Sequence, residues 1–183
     1  MKRQTKILLG LAALAGGVVF MNFKLNPQNQ PLETVPYVDL QKYMGTWHEI
    51  AAFPQRFQKG CHCTKAEYKF NPEKGYVEVR NSCRKNSPSG KLDVANGKAF
   101  VEDKQTNSKL KVQFFWPFKG DYWIIDLAPD YSYAVVGAPN REYLWILSRQ
   151  KQMDKALYNK IVAGIQQKGF DVSRLVLSDQ SCE

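Results

Sequence analysis

Residues 43–54 read YMGTWHEIAAFP. The chain turns at Gly45, and from Trp47 onward the residues favour extended backbone. The same texture continues to about residue 149. Short runs rich in aromatic and β-branched residues occupy 45–53, 62–70, 75–83, 94–103, 109–115, 121–127, 132–138 and 143–149. Turn signals separate them: NPEKG at 71–75, NSPSG at 86–90, DKQTN at 103–107, PFKG at 117–120, APD at 128–130 and APNRE at 138–142. Strands joined this tightly form an antiparallel meander. A meander of this size has two open edges, and closure into a barrel removes both.

Alternation gives the barrel an inside. In KLKVQFF, Leu110, Val112 and Phe114 share one side, and Lys109, Lys111 and Gln113 share the other. In YVEVRNSC, Val77 and Val79 oppose Glu78 and Arg80. Segments 121–127 and 143–149 are apolar on both sides, so their outer face needs a cover. A helix supplies it. After Arg149 the period changes: Asp154 stands at a helix start, Leu157, Ile161 and Ile165 recur every four residues, and Gly169 stops the helix. FDVSRLVL at 170–177 then predicts a final short strand.

Upstream of the barrel the composition shifts. Lys2, Arg3 and Lys6 precede an uncharged run from Ile7 to Phe23. This is a secretory leader or, uncleaved, an N-terminal membrane anchor, and residues 1–23 are assigned to it. Residues 24–36, KLNPQNQPLETVP, read as a linker, so the folded domain is expected over 37–183. The net charge is +9, to which Lys2, Arg3 and Lys6 contribute three. There is no arginine-rich helix, RNA-binding signature or zinc-knuckle spacing, so no nucleic-acid partner is expected. The basic surface suits anionic lipid headgroups better.

Three motifs in order complete the sequence reading. Gly45-Thr46-Trp47 opens the first strand, Asp130-Tyr131 occupies the turn in APDYSYAVVG, and Arg149 closes the eighth strand in YLWILSRQ. With this spacing and the helix after them, residues 35–182 resemble the lipocalins, most of all the bacterial outer-membrane members and apolipoprotein D. The resemblance implies an eight-stranded up-and-down barrel with one helix packed outside, an all-β class. It implies that Gly45, Trp47, Asp130 and Arg149 are structural, with Trp47 plugging the closed end and Arg149 stacked on it.

By the same resemblance, function sits in the lumen. The expected ligand is a fatty acid, a lysophospholipid or a similar small amphiphile, stored or transported there. Inward positions are predicted at Tyr68, Val79, Val112, Phe114, Tyr122, Ile124, Tyr133, Val135 and Trp145, with Phe53, Phe57, Trp116 and Phe118 forming an apolar rim. Arg56, Lys59 and Lys119 stand near that rim as solvated charges or as partners for a carboxylate or phosphate. No metal and no cofactor are expected, and the chain is expected to be a monomer or homodimer. Relatives carry a lipidated cysteine after a Leu-Ala-Gly sequence, but here Leu14-Ala15-Gly16 is followed by Gly17. Membrane association would therefore run through residues 7–23. Export to the periplasm, or tethering to a membrane with the outer membrane implied by resemblance, is the expected location.

The four cysteines, in an exported chain, imply two disulfides with three possible pairings. A hairpin turning about Pro72–Glu73 sets Cys61 opposite Cys83. The resemblance implies the pairs Cys61–Cys83 and Cys63–Cys182, the first from the bacterial relatives and the second from apolipoprotein D. That hairpin register puts Tyr68 and Val79 on opposite faces, and a β-bulge would reconcile them. Two other functions compete with a carrier. A lipid-modifying enzyme is disfavoured because His48 and His62 are the only histidines and neither joins a catalytic constellation. An interaction module with a filled barrel is the other.

Overall fold

The computed structural model describes residues 30–182. A single turn of helix, α1 (Leu40–Tyr43), leads into eight strands. These are β1 (Gly45–Ala52), β2 (Cys61–Asn71), β3 (Tyr76–Lys85), β4 (Leu92–Val101), β5 (Lys109–Phe115), β6 (Phe118–Leu127), β7 (Tyr133–Gly137) and β8 (Leu144–Ser148). Each strand pairs antiparallel with the next, and β1 pairs with both β2 and β8, which closes the barrel. Helix α2 (Lys155–Gln167) and a two-residue strand, β9 (Val176–Leu177), follow. The eighth-strand barrel with an outer helix is thus the observed architecture.

Pleating sorts the apolar residues into two layers. Trp47, Tyr68, Val79, Leu110, Ala134 and Leu147 belong to the cluster inside the barrel. Phe53, Ile125, Val135, Ile146, Ile161 and Ile165 belong to a second cluster between the barrel wall and α2. Asp154 caps α2 by accepting from the Leu157 amide at 3.0 Å, and Gly169, at φ +84°, ends it. Burying Ile161 and Ile165 against the wall contributes about 1.5–3 kcal/mol each.

One end of the barrel is sealed. Trp47 is fully buried there, and its indole donates to the Tyr43 carbonyl at 2.8 Å. The Arg149 guanidinium lies 3.7 Å from the Trp47 ring centroid. It donates to the carbonyls of Lys42, Met44 and Thr46 at 2.7, 2.9 and 2.8 Å. Gly45 has φ +94°, and a Cβ there would stand 3.4 Å from Arg149 Nη1, so glycine gives the clamp both its turn and its clearance. Tyr131 reaches across to accept from the Asp39 amide at 2.8 Å, while Asp130 accepts from the Ser132 amide at 3.0 Å and shapes the turn.

Three expectations are corrected by the fold. From residue 30 the supposed linker is part of the structure: Leu32 is buried, and the Val35 amide donates to the Ile124 carbonyl at 3.0 Å. The final strand is only Val176–Leu177, because Val172–Arg174 form a 3-10 turn capped by Asp171. The β2–β3 register sets Tyr68 directly opposite Val79 and Cys61 opposite Lys85, with a shift between His62 and Lys65. The hairpin turns later than expected, and the bulge sits beside Cys63, whose φ is +53°. The leader at 1–23 lies outside the described residues. Among the described residues no helix is long and apolar enough to cross a membrane.

Candidate functional site: the barrel lumen

The end opposite Trp47 carries the connections β1–β2, β3–β4, β5–β6 and β7–β8. Val112, Phe114, Tyr122 and Trp145 are half-buried and pack on the inner cluster, whereas Tyr68, Val79 and Ile124 are buried within it. Together these are seven of the residues read from the sequence as inward. Ala66, Val77, Ala99, Ala134, Val136 and Leu147 join them. Val77 was legible from Val79 by parity, and Ala66 from Tyr68. The alanines carry little hydrophobic signal of their own.

Three predicted positions face the other way. Phe53 is 1% exposed, packs edge-on to Phe170 at 6.2 Å between ring centroids, and lies under the Arg174 guanidinium at 4.5 Å. The β1–β8 register shifts between Glu49 and Ala51, and that bulge turns Phe53 out of the barrel toward the helix layer. Tyr133 and Val135 also sit in the helix-side cluster, leaving Ala134 and Val136 inside. Both faces of β7 are apolar because α2 covers the outer one, so hydrophobicity alone does not choose between them.

The rim itself is apolar and exposed. Phe57 is 64% exposed in the β1–β2 connection; Trp116 is 86% and Phe118 77% exposed around the β5–β6 turn. Trp145 and Tyr143 stack with ring centroids 6.0 Å apart at the start of β8. Arg56, Lys59 and Lys119 belong to the same connections, and Lys119 stands 4.5 Å over the Phe100 ring.

The sequence placed Tyr68 and Tyr122 inward but did not reveal the hydrogen bonds they make with each other and with Tyr43. At the lumen floor, the Tyr122 hydroxyl lies 2.8 Å from that of Tyr43 and 3.0 Å from that of Tyr68. Burial pushes the Tyr68 phenol up to about 12 and raises Tyr43 and Tyr122 as well, so all three stay neutral. The adjoining apolar space, lined by these tyrosines with Leu40, Met44 and Val112, has room for about one water-sized group. On β1, Glu49 is buried, and among the described residues no cation stands beside it. It accepts from Gln58 Nε2 at 2.6 Å and from Ser178 Oγ at 2.5 Å, and Gln58 in turn accepts from the Trp145 indole at 3.3 Å. Burial raises the Glu49 carboxyl above its ordinary value, and the two donors only partly offset it.

The cysteines hold the wall. Cys61 bonds Cys83 and Cys63 bonds Cys182. The β1–β2 ladder stops at His48 opposite Lys65, and the C-terminal tail fills the gap beyond it. Ser178 donates to the Ile50 carbonyl at 2.9 Å, and Gln180 Nε2 donates to the carbonyls of Glu49 and Thr64 at 2.8 Å each. His62 Nδ1 lies 2.7 Å from Asp179, whose carboxyl this bond and Ser181 hold down to about 2. Among the described residues no group of three or more His, Cys, Asp and Glu is placed to hold a metal ion.

Comparison with known proteins agrees with this geometry. The family model described as a lipocalin-like domain matches residues 38–180. Temperature-induced lipocalin-1 of Arabidopsis thaliana is 39% identical, covering 84% of this chain and 86% of its own. Outer membrane lipoprotein Blc of Vibrio cholerae is 34% identical, covering 82% and 88%. Apolipoprotein D of Mus musculus is 31% identical, covering 96% and 95%. With a closed eight-stranded barrel, a tryptophan–arginine plug and an apolar interior, the chain belongs to the lipocalin family, whose members bind small hydrophobic ligands.

Proposed function

We propose that this protein binds and carries a small hydrophobic or amphiphilic molecule, a fatty acid or lysophospholipid, in the barrel lumen, and that it does so after export to the cell envelope. The observation that carries the reading is a barrel interior apolar along Val79, Val112, Phe114 and Trp145, with the exposed Phe57, Trp116 and Phe118 at the end opposite Trp47. An acyl chain entering it gains about 0.8 kcal/mol per buried CH₂. Its head would remain at the rim, where Arg56, Lys59 and Lys119 meet a carboxylate or phosphate. The same aromatic and basic rim suits collection of a ligand from a lipid surface, with residues 7–23 as a second contact to the membrane. The two disulfides favour an oxidising compartment, and the outer-membrane relative from Vibrio cholerae favours the bacterial envelope.

Native mass spectrometry of gently purified protein, followed by lipid extraction, tests this. One bound amphiphile per barrel is expected. An empty barrel that also fails to bind a fluorescent fatty acid overturns the carrier reading. One observation favours a different role: the floor is filled by its own side chains down to room for about one water. A barrel that stays closed to every amphiphile would make it an interaction module.

A further inference from the structure

The β1–β2 connection is tied to the barrel by a chain of side chains that ends in the C-terminal tail. Its 3-10 turn, Arg56–Gln58, carries the exposed Phe57. The turn closes on itself: the Gln58 amide donates to the Gln55 carbonyl at 3.1 Å, and the Lys59 amide to the Arg56 carbonyl at 3.4 Å. Among the described residues, its hydrogen bonds to β1 and β8 are the two that the Gln58 side chain makes, with Glu49 and Trp145. Chemistry fixes the direction of this chain. An indole N–H only donates, so Trp145 sets the Gln58 side-chain oxygen as acceptor and its nitrogen as donor toward Glu49. A carboxylate accepts at both oxygens, and the second of them receives the Ser178 hydroxyl. Among the described residues no hydrogen bond joins Ser178 to Gln58 directly, so Glu49 is the link between tail and turn.

The tail holds its end of the chain by independent contacts. The Ser178 amide donates to the Ile50 carbonyl at 2.9 Å, Gln180 Nε2 donates to the carbonyls of Glu49 and Thr64, the Asp179 carbonyl accepts from the Cys63 amide at 2.6 Å, and Cys182 is bonded to Cys63. We propose that Glu49 is a positioning residue of the ligand site, which passes the seating of the C-terminal tail on to the β1–β2 turn. With Ser178 in place the turn holds Phe57 and Arg56 at the end opposite Trp47; with Ser178 unhooked the turn loosens and a bound ligand leaves faster. This rests on the carrier reading and adds to it a control of ligand residence time from the last residues of the chain. Glu49 itself is buried and acts through Gln58. Trp145, at the far end of the chain, packs on the inner cluster, so the effect reaches the barrel interior as well as the turn.

Two readouts on the full chain test this: the dissociation rate of a fluorescent fatty acid and, without ligand, hydrogen exchange of the Lys59 amide. Ser178→Ala is expected to speed both by about fivefold, the effect of losing one hydrogen bond from the chain. In a Glu49→Ala background the same substitution is expected to add nothing, because the chain is already cut. Glu49→Gln is expected to keep the wild-type values: its oxygen still accepts from Gln58, and its nitrogen donates to the Ser178 hydroxyl, which can accept as well as donate. Should Glu49→Ala not fold, Gln58→Ala takes its place, since it cuts the chain on the other side of Glu49. A Ser178→Ala effect of equal size in both backgrounds overturns the inference, because the tail would then act on the wall without Glu49. So does the absence of any Ser178→Ala effect in wild type. Neither result touches the carrier reading. A barrel that binds no fatty acid overturns the carrier reading instead, and the Lys59 amide then decides the coupling by itself.

Discussion

Two residues show how differently charge is used at the two ends of β1. Arg149 is held by both its face and its edge: its plane covers Trp47 and its two terminal nitrogens donate to carbonyls of the chain entering the barrel. Arg149→Ala removes a cation–π contact and several charge-assisted hydrogen bonds, and should cost about 2–4 kcal/mol in urea unfolding. Arg149→Lys should recover little of it, because an ammonium cannot stack and fork at once. Glu49 is the opposite case, a buried carboxyl whose partners Gln58 and Ser178 are neutral. Its folded pKa lies above the ordinary value of 4.5, with burial the first cause. Its stabilising contribution is therefore fully present below that ordinary value and is lost as pH rises through the folded value. Glu49→Gln removes this dependence. Between about pH 4 and pH 7 the variant should gain stability relative to wild type. Parallel stability curves over that range would show that the carboxyl is not penalised.

At the scale of the element, the C-terminal tail is the least conventional piece. It completes the wall where β1 and β2 separate, with Asp179 accepting the Cys63 amide and Gln180 bridging two carbonyls. Deleting residues 178–183 in a Cys63→Ser background should leave the 45–48 ladder protected in hydrogen exchange while the amide at position 63 loses its protection. Equal protection at position 63 before and after deletion would mean that the tail only rests on the wall. The helix shows the same logic in apolar form. Ile161 and Ile165 fit over Phe53, Val135 and Ile146, so α2 supplies the cover that the doubly apolar strands require.

Across the whole molecule, the two disulfides divide the labour by loop length. Cys61–Cys83 spans 22 residues within one hairpin, and Cys63–Cys182 spans 119 and ties the last residues to the second strand. In the loop-entropy model the longer bridge constrains the unfolded chain more, by about 1–2 kcal/mol. Urea midpoints of Cys63→Ser/Cys182→Ser and Cys61→Ser/Cys83→Ser, compared with wild type, should fall in that order. The reverse order would place the larger contribution in native packing around the hairpin.

Strand number, strand order, barrel closure and the covering helix were legible along the chain. Each rests on a local signal: the alternation in KLKVQFF, the turn residues between runs, the four-residue spacing of Leu157, Ile161 and Ile165. The inward positions on β5 were legible for the same reason, since Lys111 and Gln113 mark the outside as clearly as Val112 and Phe114 mark the inside. The β2–β3 register, the outward turn of Phe53 and the orientation of β7 were not. A bulge re-phases a strand by one residue with little change in composition, and a strand apolar on both faces has no preferred side until the helix packs. The tyrosine floor and the sealed tail depend on residues far apart in sequence, Tyr43 with Tyr122 and Gln180 with Thr64. The sequence by itself determined the barrel and its plug, because those follow from local periodicity and three short motifs. Only the tertiary structure decided which side chains meet inside it, because that is settled by long-range register and by what covers each face.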